Sequence, residues 1–213
     1  MPKAFPLSVL TVAATLSLTP VLEAQAWNYP ALQPPTVVSR EFNFGVADAG
    51  RGGSTLLFQW REGMTPRTQF QIEAGLVAPE GRADNFVLLG GGWAYQLHNS
   101  NTILPLDFLL TAGAGLALGN VTALRVPLGV SVGHTFPLEG TASITPYVHP
   151  RISLDFCDCG DDDTALGVNF DVGVNFDVTQ SLSLRGAAYF GGGDIFGRNG
   201  VGFSIAWKSP ALQ

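Results

Sequence analysis

Between residues 166 and 178 the chain alternates without a fault. Leu166, Val168, Phe170, Val172, Val174, Phe176 and Val178 are apolar, and Gly167, Asn169, Asp171, Gly173, Asn175 and Asp177 between them are polar or glycine. Successive side chains of a strand point to opposite faces, so this spacing predicts one long amphipathic β-strand. The same period runs through Phe70, Ile72, Ala74 and Leu76, through Leu124, Val126, Leu128, Val130 and Val132, and through Ile144, Val148, Ile152 and Leu154. Turn-rich clusters divide the chain into about ten strands, at 37–47, 53–61, 68–77, 85–97, 104–118, 123–136, 142–156, 165–178, 181–190 and 200–208. Most reach the roughly 9 to 11 residues that a tilted membrane-crossing strand needs. An even count brings both chain ends to one side of a closed sheet.

Alternation alone does not say which face looks outward. A soluble, lipocalin-like ligand-binding barrel keeps its apolar face inside and its polar face in water. Here 46% of residues are hydrophobic and 13% are charged, and the mean hydropathy is positive. The only lysines are Lys3 and Lys208. A polar face of Gly, Ser, Thr and Asn with so little lysine is a poor water-facing coat, and ten strands of Leu, Phe and Trp overfill a narrow lumen. With the apolar face turned toward lipid, both difficulties disappear, and a closed ladder satisfies every strand's backbone. A net charge of -6 without a Lys/Arg cluster argues against a nucleic-acid partner.

The first 26 residues carry one early positive charge, Lys3, an apolar run from about Ala4 to Leu18, and small residues around Ala24-Gln25-Ala26. They read as a cleaved secretory signal peptide, because the run falls short of the roughly 18 apolar residues of a membrane-spanning helix and Pro20 interrupts it. Residues 27–36, "WNYPALQPPT", then read as a proline-rich periplasmic lead-in without structure of its own. The barrel is expected over 37–208 and a short tail over 209–213. Pro127, Pro146 and Pro150 lie inside predicted strands, where bulges or a break in pairing are expected, because proline cannot donate to a ladder.

Over residues 37 to 208 the pattern resembles a small outer-membrane β-barrel protein of Gram-negative-type bacteria. The C-terminal "GVGFSIAW", with Val201, Phe203, Ile205 and Trp207 at alternate positions, is similar to the signal by which such barrels reach their assembly machinery. The family usually ends on the aromatic residue, whereas here "KSPALQ" follows. The resemblance implies an all-β, closed antiparallel barrel of about ten strands (eight being the alternative), with outer-membrane lipid and the barrel-assembly machinery as partners. Trp60, Trp93, Tyr95 and Trp207 near the periplasmic strand ends suit an aromatic girdle.

In this phase Glu41, Arg61, Glu73, Asp107, Arg125, His149, Arg151, Asp155, Asp171, Asp177 and Arg185 point into the lumen. Charges withdrawn from bulk water persist when paired, so Arg–carboxylate networks are expected there. They suit either a charge-lined path for small solutes or a sealed structural core. Inward glycines, among them Gly90, Gly92, Gly113, Gly115, Gly129 and Gly133, either open space or let the barrel close tightly. The segment "DFCDCGDDDT" at residues 155–164 falls on an outer loop; it lacks the ordered D-x-[DN]-x-[DN]-G calcium pattern, and Cys157 and Cys159, which could chelate a soft metal or pair with each other, read as a loop cap without catalytic duty, in either redox state. No histidine has a nucleophile beside it at the outer rim, so an embedded lipid- or peptide-directed enzyme is the weaker reading. No cofactor or metal is called for.

Overall fold

In the computed structural model, residues 29–48, 53–79, 85–158, 164–192 and 199–209 are described. The alternating segments become strands β1 (Arg40–Asp48), β2 (Ser54–Thr65), β3 (Thr68–Ala78), β4 (Phe86–His98), β5 (Asp107–Leu118), β6 (Thr122–Gly133), a two-residue β7 (Phe136–Pro137), β8 (Ser143–Cys157), β9 (Thr164–Asp177), β10 (Leu182–Gly192) and β11 (Gly200–Lys208). Neighbours in sequence pair antiparallel, and β6 passes over the short β7 to pair with β8. The first and last strands join through Glu41↔Lys208 to Asp48↔Val201, which closes ten long strands into a ring without an edge. The chain is therefore an all-β, closed antiparallel barrel. Both ends of the barrel sequence, Arg40 and Lys208, meet at one rim, here the terminal rim.

The two faces sort as the period predicts. Phe44, Val46, Leu56, Leu76, Leu89, Leu166, Val168, Phe203 and Ile205 are exposed on the outer wall, while Asn43, Gln59, Gln69, Ser131, Asn169 and Ser183 are buried inside. This is the reverse of a barrel made for water. Its exterior needs a hydrocarbon surround, in which only a closed ladder leaves no backbone group unpaired. Near the terminal rim the outer wall carries a belt of rings: Phe42 stacks on Trp207 (5.9 Å) and Trp60 (6.5 Å), Trp60 meets Phe70 edge-on (5.2 Å), and Trp93 stacks on Tyr95 (5.8 Å). Such rings favour the boundary between lipid tails and headgroups.

Pro127 and Pro150 each interrupt pairing with one neighbour without shifting register, whereas Pro146 sits in an unbroken ladder with β9. Between β5 and β6 the ladder stops after Ala112↔Leu128 and resumes at Gly115↔Arg125 on the same register, skipping Pro127. Between β6 and β8 it stops after Gly129↔Arg151 and resumes at Val132↔Val148, skipping Pro150. The missing proline N–H removes the bond but leaves the pleat, so inward and outward faces stay in phase across each gap.

The N-terminal stretch behaves otherwise than expected. The signal peptide assigned to residues 1–26 lies outside the described residues, but Tyr29 to Pro35 do not trail from the terminal rim: they run up the inside of the barrel and are buried. The first strand accordingly starts at Arg40, three residues later than expected, because Val37 and Val38 are still bonded to lumen side chains. Composition misled here: a proline-rich run has no ladder of its own, but a wall of polar side chains can hold it.

Candidate functional site

The inward face of every strand supplies the site. Side chains alternate, so each strand presents a column of residues to the axis, and neighbouring columns meet at the height set by register. All eleven charged or titratable residues assigned to the lumen point inward. Together with Lys208 they comprise five cations (Arg61, Arg125, Arg151, Arg185, Lys208), six carboxylates (Glu41, Glu73, Asp107, Asp155, Asp171, Asp177) and His149. The near balance removes the strong single-sign field that an ion-selective path would carry.

These charges form separate knots. Glu41 on β1 accepts from Arg61 on β2 (Nη1–Oε1 2.9 Å) and from both terminal nitrogens of Arg185 on β10. Arg125 on β6 grips Asp155 on β8 as a fork, Nε–Oδ1 and Nη2–Oδ2 both 2.9 Å, an arrangement that fits guanidinium to carboxylate. Arg151 on β8 donates to Asp171 on β9. Asp177 accepts from Lys208, Ser183, Asn175 and Ser143 at the terminal rim. Asp107 stands apart: it caps a turn by accepting from the Ser100 N–H at 2.7 Å.

His149 joins two of these elements. Its Nε2 lies 2.9 Å from the Thr111 hydroxyl, and its Nδ1 lies 3.6 Å from Asp171 Oδ2. Gly129 makes this reach possible, since a Cβ there would stand 3.0 Å from Nε2. Hydroxyl, imidazole and carboxylate are in line. Asp171 is already bound by Arg151, however, and the cluster sits beneath the N-terminal segment, buried from either rim. The line orders the wall and offers no exposed nucleophile.

The larger construction is around the N-terminal segment itself. Arg151 donates to Pro30 O; Gln59 (2.8 Å) and Arg61 (3.1 Å) donate to Ala31 O; Arg61 also donates to Leu32 O (2.9 Å), the Ser131 hydroxyl to Gln33 O (2.7 Å), and Gln96 to Pro35 O (2.9 Å). In the other direction, the N–H of Ala31 reaches Glu73 (3.4 Å), that of Val37 reaches Gln96 (2.9 Å) and that of Val38 reaches Gln69 (2.9 Å). The contributing side chains come from β2, β3, β4, β6 and β8, so five of the ten long strands hydrogen-bond to the segment. Leu32, at φ 50°, takes the left-handed conformation that turns its carbonyl toward Arg61.

Shape completes the hold. Tyr29 packs against the inward glycines of β4 and β5: a Cβ on Gly92 would stand 2.8 Å from its hydroxyl and one on Gly113 2.7 Å, and one on Gly90 would overlap the ring. Val77, Phe86, Leu88, Ala117, Ala123 and Cys157 form a buried apolar cluster with Tyr29, and in a second cluster Ala31 and Leu32 pack with Leu57, Ala187 and Tyr189. Cys157 ends β8 at the rim opposite the termini and is disulfide-bonded; Cys159 and the aspartates at 161–163 lie outside the described residues. The four residues of the expected assembly signal, Val201, Phe203, Ile205 and Trp207, all face outward on β11.

Sequence reasoning missed Gln59, Gln69, Gln96 and Ser131, together with the segment they hold, and Thr111 beside His149. The available signal was the set of inward glutamines. An amide both donates and accepts, which suits a second backbone better than an ion.

No family model matches this chain, and no curated protein matches it. Among solved structures it is similar to a bacterial polysaccharide outer-membrane secretin, with a TM-score of 0.50 and 7% identity, over 74% of this chain and 57% of that one, so that it spans little more than half of the secretin's length. It is also similar to the beta domain of the Bordetella autotransporter BrkA (TM-score 0.49, 12% identity, 80% of this chain and 99% of that one) and to LpxR from Salmonella typhimurium (TM-score 0.48, 10% identity, 79% and 100%). At these identities the likeness concerns fold alone. By its closed ladder, its outward apolar wall and its likeness in fold to the secretin, the chain has the fold of a small outer-membrane β-barrel.

Proposed function

We propose that the protein is a resident of the bacterial outer membrane, exported by its signal peptide, whose lumen is closed by its own N-terminal segment and which serves as a structural, non-conducting barrel. The terminal rim, with its short turns and aromatic belt, faces the periplasm in this reading. One observation carries it: residues 29–35 are buried inside the barrel and bonded to five strands, where a pore needs water. The charge balance of the wall supports the same reading, since paired ions inside a closed barrel stabilise a fixed geometry. Lipid is the partner of the outer wall, and the alternate apolar residues of β11 are what the assembly machinery would read.

The test is conductance in planar bilayers, with outer-membrane fractionation and heat-modifiable gel migration run beside it. The purified chain is expected to migrate as a heat-modifiable barrel, to fractionate with the outer membrane and to give no current steps above background. Regular steps from the intact chain would return the passive-pore reading.

A further inference from the structure

The closed-lumen reading treats residues 29–38 as part of the wall. Their contacts describe something more specific. Apart from the gaps at Pro127 and Pro150, the strands of the barrel spend their backbone hydrogen bonds on their two neighbours in the closed ring, so a chain entering the lumen does not join the ladder as an extra strand. It must be recognised by side chains, one carbonyl and one N–H at a time. The lumen does this for the carbonyls of Pro30, Ala31, Leu32, Gln33 and Pro35 and for the N–H groups of Ala31, Val37 and Val38.

Proline fits such a site for two reasons. Pro30, Pro34 and Pro35 bring no N–H into the barrel, and donors outnumber acceptors along the wall that holds them. Proline also restricts the free peptide to extended forms, which lowers the ordering cost of binding. One aromatic anchor, Tyr29, fills the glycine hollow, and the contacts from Gln96 and Gln69 near the terminal rim to Arg151 and Arg61 deeper in the lumen fix the direction of entry with the N-terminal end foremost. An aromatic anchor, a proline-rich main chain and fixed polarity are the elements of a peptide-recognition site.

We infer that the lumen is a binding site for an extended, proline-bearing peptide with an aromatic residue near its leading N-terminal end, occupied in this chain by its own residues 29–38 and able to take the same peptide in trans from the terminal rim. This rests on the closed-lumen reading and names the ligand class of that site.

The test keeps the full chain folded. A recognition sequence for a site-specific protease is inserted between Ser39, which is exposed, and Arg40; the barrel is folded, reconstituted and then cut. The severed segment is expected to remain bound in detergent, to exchange saturably with a labelled synthetic peptide of residues 29–39, and to be competed by the unlabelled peptide. The same peptide with reversed sequence is expected to bind at least tenfold more weakly. Ser131→Ala, which removes one carbonyl donor and leaves the ladder intact, should weaken exchange about fivefold to tenfold. Loss of the severed segment without rebinding of the labelled peptide overturns the inference, as does equal binding of the reversed sequence. Conductance of the uncut chain separates the two proposals: steps from it sink the closed-lumen reading, whereas a silent uncut barrel that fails to rebind the peptide sinks only the peptide site.

Discussion

The two sides of the lumen hold the same segment by opposite means. Midway along β4 and β5 the wall is bare: Gly90, Gly92 and Gly113 expose backbone, and Tyr29 lies in the hollow they leave. The wall from β8 through β2 is crowded with Arg151, Asp171, Arg185, Glu41 and Arg61, and the guanidiniums of Arg151 and Arg61 reach the carbonyls of Pro30, Ala31 and Leu32. Shape works on one side, where any added atom collides. Charge-assisted hydrogen bonding works on the other, where removing an atom leaves a buried ion alone. The glycine side should therefore be sensitive to additions and the arginine side to deletions.

The largest effect is expected from Arg61→Met. It strips donors from two carbonyls and leaves Glu41 with one cation fewer in a buried setting, a loss of about 3–5 kcal/mol for breaking a buried pair. A lower urea midpoint in detergent, together with the appearance of bilayer current, would register it; a midpoint within error of the parent would break the contrast between the walls.

Next comes Gly90→Val, which should drive Tyr29 from its hollow at a cost of about 1–3 kcal/mol. The decisive comparison is the pair Gly90→Val with Tyr29→Ala. If the glycines serve the ring, the double variant is more stable than the sum of the two losses predicts, because the space vacated by one change accepts the other. Simple additivity in a double-mutant unfolding cycle would show that the hollow has another purpose.

Thr111→Val tests the link between the two sides, from Thr111 on β5 to His149 on β8. It removes the hydroxyl bonded to His149 Nε2 while keeping its shape. A loss of about 1 kcal/mol is expected, read as a small shift in the same unfolding midpoint. The smallest effect belongs to Arg40→Ala, whose partner Glu62 also lies on the outer wall near the terminal rim and whose ion pair is partly exposed. Less than about 1 kcal/mol is expected there. A larger loss would show that the rim, and not the lumen, dominates stability.

How much of this could be read from residues alone differs along the chain. The period of two placed every long strand within a few residues, and it assigned Phe170, Val172 and Val174 outward and Asp171 inward, because one slip of register would move every side chain to the wrong face. The same phase placed Arg125 and Asp155 inside. It did not pair them, since cross-strand neighbours depend on the register β6↔β8, which passes over the short Phe136–Pro137 strand. The prolines were legible as interruptions but not as clean gaps in an unshifted ladder.

What the sequence determined by itself was a ring of amphipathic ribbons with its apolar side outward, since strand periodicity is local and each strand carries it alone. What only the tertiary structure decided was the content of the lumen. Residues 29–38 have no period to announce them. They are held by Gln59, Arg61, Gln69, Gln96, Ser131 and Arg151, which come together only when the barrel closes, and such long-range contacts between a nonperiodic segment and five separate strands leave no pattern along the chain.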